Sequence, residues 1–243
     1  MRAILLLAAC ASLISATPLC KTASMAVYIQ QRACQIGNIT FSFGTHAYIF
    51  AGDDINVGFA RIILTPTGTG LAGVPTGFTF AANNSGWTAT NPDARHANEA
   101  DINITFDASV AVPRAALNTA AAALDPNLVN FSAGDTGILF GEDVIDLASR
   151  NTVGAINLTL LGNTSAQSMA AGGSALSASS GTFSSTSIEV NKDVDILALD
   201  PHSSASLTKL TDTVTYGIVP EPVRLTAFGL LLLGCWRIYR RHA

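Results

Sequence analysis

Across residues 100–112 apolar and polar positions alternate almost without a break. Ile102, Ile104, Phe106, Ala108, Val110 and Val112 take one parity, and Asp101, Asn103, Thr105, Asp107 and Ser109 take the other. A period of two sends successive side chains to opposite faces, so this segment predicts a β-strand with one face on a core and one in water. Shorter runs repeat the theme. Ile39, Phe41 and Phe43 alternate, Tyr48-Ile49-Phe50 precedes the Gly52-Asp53-Asp54 turn, and Val57 and Phe59 lead into Ile62-Ile63-Leu64, where Pro66 is expected to stop the strand. Further strands are predicted over 138–140, 155–161, 187–190, 194–199, 206–210 and 214–218. So many short strands between turn residues predict an all-β domain, with a β-sandwich of jelly-roll or Ig-like type as the leading architecture. Two stretches depart from the pattern. Pro113, the alanine-rich run to Leu124 and the closing Asp125-Pro126 predict a helix. Residues 162–187 are small and polar, and predict either a long loop or strands of small residues.

The two ends of the chain read differently from its middle. Arg2, the apolar residues 3–14 and the Ile14-Ser15-Ala16 site, which ends on a small residue, predict a signal peptide over 1–16, cut by signal peptidase before Thr17. Leu7-Ala8-Ala9-Cys10 offers a competing lipoprotein reading, with only a short apolar run ahead of Cys10. At the other end Val219-Pro220-Glu221-Pro222 is a stiff extended segment, because each proline fixes its own φ and biases the residue before it. The apolar run 225–236 follows, then Arg237, Arg240 and Arg241. Counted over 222–239 a helix reaches about 27 Å, enough for a single transmembrane helix in a locally thinned bilayer with the arginines held in the cytoplasm. The predicted organisation is a signal peptide (1–16), an exported domain (17–218) and a C-terminal tail (219–243).

That tail resembles the PEP-CTERM sorting signal, also known as the ice-binding protein C-terminal domain: a Pro-Glu-Pro triplet, a membrane helix and a basic cluster, in that order. The resemblance implies export across the inner membrane of a Gram-negative bacterium and a membrane-anchored precursor. It also implies processing at Val219, Pro220, Glu221 and Pro222 by an exosortase-type membrane protease, and a final place at the cell surface or outside the cell. Association with exopolysaccharide and biofilm is implied in the same way. A looser likeness extends to Cys20 and Cys34, to Ile36-Gly37-Asn38 before Phe41, and to Val190-Asn191-Lys192-Asp193-Val194 followed by Ala205-Ser206-Leu207.

Composition narrows the function classes. The chain carries a net charge of -4 with 12% charged residues, against a typical value of about 25%. Its ends hold Arg2, Arg224, Arg237, Arg240 and Arg241 against Glu221, so the middle is more acidic still and offers nucleic acid nothing to bind. Of four cysteines, Cys10 falls in the leader and Cys235 in the tail. Cys20 and Cys34 remain, as a disulfide in an oxidising compartment or as two unrelated buried thiols.

Several motifs suggest chemistry and fail on context. Gly68-Thr69-Gly70-Leu71-Ala72-Gly73 spells a dinucleotide fingerprint, but Val74-Pro75-Thr76-Gly77 does not continue as the helix a pyrophosphate requires, so the stretch reads as a glycine-rich loop and no cofactor is expected. Asp93, His96, Glu99 and Asp101 crowd together, as do Asp53 with Asp54 and Glu142 with Asp143 and Asp146. None has the spacing of a known Ca²⁺ loop, so they read as solvated carboxylates and no metal site is assigned. His46, His96 and His202 are the bases at hand, yet no Gly-x-Ser-x-Gly elbow accompanies them and no catalytic residue is assigned. Asn83-Asn84-Ser85-Gly86-Trp87 is the best ligand-facing loop, with Trp87 either stacking on a sugar or, as is more usual, packed. Thr65, Thr67, Thr69, Thr76 and Thr79 form no repeated ice-binding array. Three functions remain: a non-enzymatic exported surface or matrix protein, a carbohydrate- or Ca²⁺-binding β-sandwich, and a secreted hydrolase. The first is expected, with no enzymatic activity.

Overall fold

The structure, a computed structural model, describes residues 17–44, 48–51, 59–82, 87–91, 98–124, 129–131, 136–162, 177–199, 201–207 and 209–219. Its elements in chain order are β1 (Ala23–Ser24), α1 (Met25–Gln31), β2 (Ala33–Ile36), β3 (Ile39–Phe43), β4 (Tyr48–Ala51), β5 (Ile62–Thr67), β6 (Thr76–Ala82), β7 (Trp87–Thr90) and β8 (Asn98–Val110). There follow β9 (Ala115–Leu124), β10 (Val129–Phe131), β11 (Thr136–Asp146), β12 (Thr152–Gly162), β13 (Ser177–Ser179), β14 (Ser187–Ala198), β15 (Ser204–Leu207) and β16 (Lys209–Ile218). The described chain is all-β apart from α1 and a 3-10 turn at Phe59–Arg61.

One sheet runs in the order β12-β11-β14-β8-β3-β2, with β4 also paired to β8, and a second runs β1-β5-β6-β16-β9-β13. A small third sheet is ordered β10-β15-β7. Side chains from the two large sheets meet in one core. Phe41 on β3 lies with its ring centroid 5.0 Å from that of Phe78 on β6, Phe43 lies 5.4 Å from Phe78, and Phe106 on β8 lies 6.5 Å from Phe80. Tyr28 of α1 closes one end of this group, 4.9 Å from Phe43. Each such pair adds about 0.5–1.5 kcal/mol beyond the area it buries. Cys20 and Cys34 form a disulfide that ties the segment before β1 to β2.

The long alternation appears as β8, with Ile102, Ile104, Phe106 and Ala108 buried. Other expectations need correction. Residues 115–124 form a strand, not a helix, because β9 is hydrogen-bonded along its length to β16 and over its end to β13. Ladder pairing on both edges outweighs the small helix preference of alanine. Pro66 does not end β5, which continues to Thr67. The two-residue β1 pairs only with Ile63 and Leu64, so Pro66 sits where the outer edge asks for no N–H. Phe59 belongs to the 3-10 turn rather than to a strand. The strands predicted over 187–190 and 194–199 are one strand, β14.

Among the described residues no helix is long and apolar enough to cross a membrane. The predicted leader, the membrane helix, Pro220, Glu221, Pro222, Arg237, Arg240 and Arg241 lie outside the described residues. Val219 is the last described residue, exposed, with its N–H donating to the Arg114 carbonyl at 2.7 Å.

Candidate functional site

Three inward-facing rows each carry one charged residue among apolar ones. On β11 the row is Ile138, Phe140, Glu142 and Val144; on β14 it is Ile188, Val190, Lys192, Val194 and Ile196; on β16 it is Leu210, Asp212, Val214 and Tyr216. Strand periodicity admits no choice here: with the flanking residues committed to the core, the charged one enters it too. Glu142 and Lys192 are direct partners across β11 and β14. Asp212 arrives from the other sheet, on β16 between β6 and β9. Gly77, opposite Thr213, lets β6 pass close to β16 there, since a Cβ on it would stand 2.1 Å from the Asp212 carbonyl oxygen.

The three side chains are fully buried. Lys192 Nζ donates to Glu142 Oε2 at 2.9 Å and lies against Asp212 Oδ2. The Phe106 ring covers the amine, with its centroid 4.5 Å from Nζ. Burial holds the Lys192 pKa below the usual lysine range, and it outweighs the opposing pull of Glu142. Apart from the Lys192 amine against Oδ2, the Asp212 oxygens have no hydrogen-bond partner, and Glu142 Oε1 has none. A buried ion pair repays its desolvation only when the remaining lone pairs are satisfied. Here they are not. What the site offers chemically is an amine with its charged form disfavoured, a carboxyl group against it, and a second carboxyl placed to move protons between them.

The residues singled out from sequence are distributed differently. Glu142, Asp143 and Asp146 do not converge, because alternation buries Glu142 and exposes Asp143, while Asp146 lies at the β11–β12 turn. Asp146 accepts from the Ser149 N–H at 2.7 Å and from the Ser185 hydroxyl, and these bonds bring its pKa down to about 2. Asp101 does meet other carboxylates, but from β14: Asp101, Asp193 and Asp195 bring an oxygen each within 4.8 Å. Desolvation first and Asp193 second push Asp101 up to about 6. Asp195 is raised to about 6 by desolvation, then by Asp193, Glu99 and Asp101. This is an acidic outer face on which burial and neighbouring carboxylates raise Asp101 and Asp195.

Trp87 is fully buried at the start of β7 and presents no ring to a ligand. The Gly68–Gly73 stretch joins two strands, as its failed context predicts. Gly70 has φ +65, donates its N–H to Thr76 Oγ1 at 2.9 Å and packs on the Ile36-Gly37 turn. His202 is exposed. Asp53, Asp54, Asp93, His46, His96 and residues 83–86 lie outside the described residues.

Lys192 and Asp212 were not picked out from the sequence. The signal was present, since both occupy apolar parity in strands that alternate on either side of them. A scan against protein-family models gives no match to this chain, and neither does a comparison with curated proteins.

Proposed function

We propose that this chain is a non-enzymatic surface or extracellular-matrix protein: an exported β-sandwich domain carried out by its signal peptide and sorted through a PEP-CTERM-type tail. The partners of that reading are signal peptidase, an exosortase-type membrane protease, the membrane through the C-terminal helix, and exopolysaccharide at the destination. The observation that carries it is the Cys20–Cys34 disulfide, which stands just behind the predicted cleavage site at Thr17. A bond of this kind persists in the periplasm or at the cell surface and is rare in the cytosol. The weakly charged composition, with 12% charged residues, fits the same setting. Burial of Trp87 takes away the aromatic platform on which a sugar-binding reading rested.

The test uses a host that has an exosortase. Changing Pro220, Glu221 and Pro222 to alanine leaves the protein exported but unprocessed, because the protease then lacks its extended segment. A triple variant that reaches the wild-type mature mass and location removes the sorting reading. A glycan array, run with and without a chelator, gives no binding on this account, and specific binding replaces it with a carbohydrate- or Ca²⁺-binding module.

A further inference from the structure

From the buried trio we infer that Lys192 and Asp212 become joined by an intramolecular amide bond, with Glu142 as the proton-transfer group, so that the two large sheets are covalently stapled through their core. Four observations carry this. The amine lies against the carboxyl group. Apart from the Lys192 amine against Oδ2, neither buried oxygen of Asp212 has a hydrogen-bond partner, so no other group holds Asp212 as a carboxylate. Glu142 Oε2 is 2.9 Å from Nζ, where it can take a proton from nitrogen. The Phe106 ring and the surrounding apolar rows exclude water from all three.

The step balances without a co-reactant. In the net-neutral trio a proton passes from the ammonium group to Glu142, leaving a neutral amine beside a protonated Asp212. The Nζ lone pair adds to Cγ, and the carbonyl π pair moves onto oxygen. Glu142 carries a proton from nitrogen to the departing hydroxyl, the Cγ–O bond breaks, and one water leaves. The products are an amide, a water molecule and a protonated Glu142, which keeps the proton first taken from the ammonium group. Nothing is oxidised or reduced. Burial favours the bond twice: it disfavours the lysine charge that would block attack, and it keeps out the water that would hydrolyse the product. Fixed proximity replaces activation, since well-oriented intramolecular reactions reach effective concentrations of about 10⁵–10⁸ M.

The bond would link β14, inside one sheet, to β16 of the other, the strand from which the chain leaves toward its tail. Tension applied through the tail would then pass to both sheets. The inference rests on the core alone and stands independently of how the protein is sorted.

Mass spectrometry of the purified, reduced and denatured full chain tests it. Wild-type protein should be one water lighter than its sequence mass. Trypsin should fail to cut after Lys192, giving peptide 151–209 joined to 210–224. Asp212→Ala and Lys192→Arg should show the full mass, and Glu142→Gln should lose most of the linked form while far-UV circular dichroism stays strand-like. Wild-type protein at full mass and cleaved after Lys192 overturns the inference, and because that result is read on the wild type it holds even where a variant fails to fold. A Glu142→Gln protein that is fully linked overturns the role given to Glu142.

Discussion

Glu142 and Lys192 stand directly opposite each other on neighbouring strands, and their side chains meet at 2.9 Å on the face of the sheet that is closed to water. Alternation would ordinarily place two apolar side chains there. With Asp212 reaching in from the second sheet, the charged groups form a single unit in which no member is replaceable by itself.

Lys192→Met should therefore destabilise the domain by about 3–5 kcal/mol, since it removes the amine that joins the sheets and leaves two buried carboxyl groups without it. Exchanging all three together, Lys192→Met with Glu142→Leu and Asp212→Leu, should recover, in urea unfolding, the part of that loss that comes from the stranded carboxyl groups. A single Lys192→Met change without effect would show that the trio is not buried as described.

The acidic outer face sets a pH dependence of known sign. Asp101 and Asp195 are direct partners across β8 and β14, and each has its pKa raised from 3.8 to about 6. A carboxyl whose pKa rises on folding holds protons that the unfolded chain has released, so stability falls as pH rises from 3.8 through about 6. Asp146 works in the other direction: lowered from 3.8 to about 2, it stabilises above 3.8 and loses that contribution as pH falls toward 2. Tm should be higher at about pH 5 than at about pH 7, and Asp195→Asn should flatten the difference.

Opening the disulfide should weaken the fold by about 3 kcal/mol, the loop-entropy value for a closed segment of this size. Cys20→Ser, measured by denaturant unfolding on protein prepared from an oxidising compartment, gives that number. No change in midpoint would mean that the bond is not formed in the folded protein.

Gly70 and Gly73 both have positive φ, at +65 and +76, but only Gly70 faces backbone, with an added Cβ 1.9 Å from the Ile36 carbonyl oxygen. Gly70→Ala should lower stability by clearly more than about 1 kcal/mol, and Gly73→Ala by less, since it meets open space. Equal losses would contradict the packing of this loop on the β2–β3 turn.

The strand content was legible because period-two alternation needs only local reading, and 100–112 with its buried isoleucines shows how far that reading carries. It failed where partners decide. Residues 115–124 look helical until β16 and β13 flank them. The polar triplet Asn191-Lys192-Asp193 looks like a break between two strands, although parity sends Lys192 inward and its neighbours outward within one strand. The same parity separates Glu142 from Asp143, which closeness in sequence had grouped. Asp212 was legible as a charged residue in an apolar row, but its partner lies on another sheet, and no spacing along the chain announces that.

The most direct test of the functional account is fractionation and intact mass of the protein recovered from the cell that makes it. The account predicts a chain that begins at Thr17, has lost its tail beyond the Pro220-Glu221-Pro222 segment, and sits at the cell surface or in the medium with Cys20 and Cys34 linked. A full-length chain in the soluble cytoplasmic fraction, with two free thiols at those positions, would contradict it.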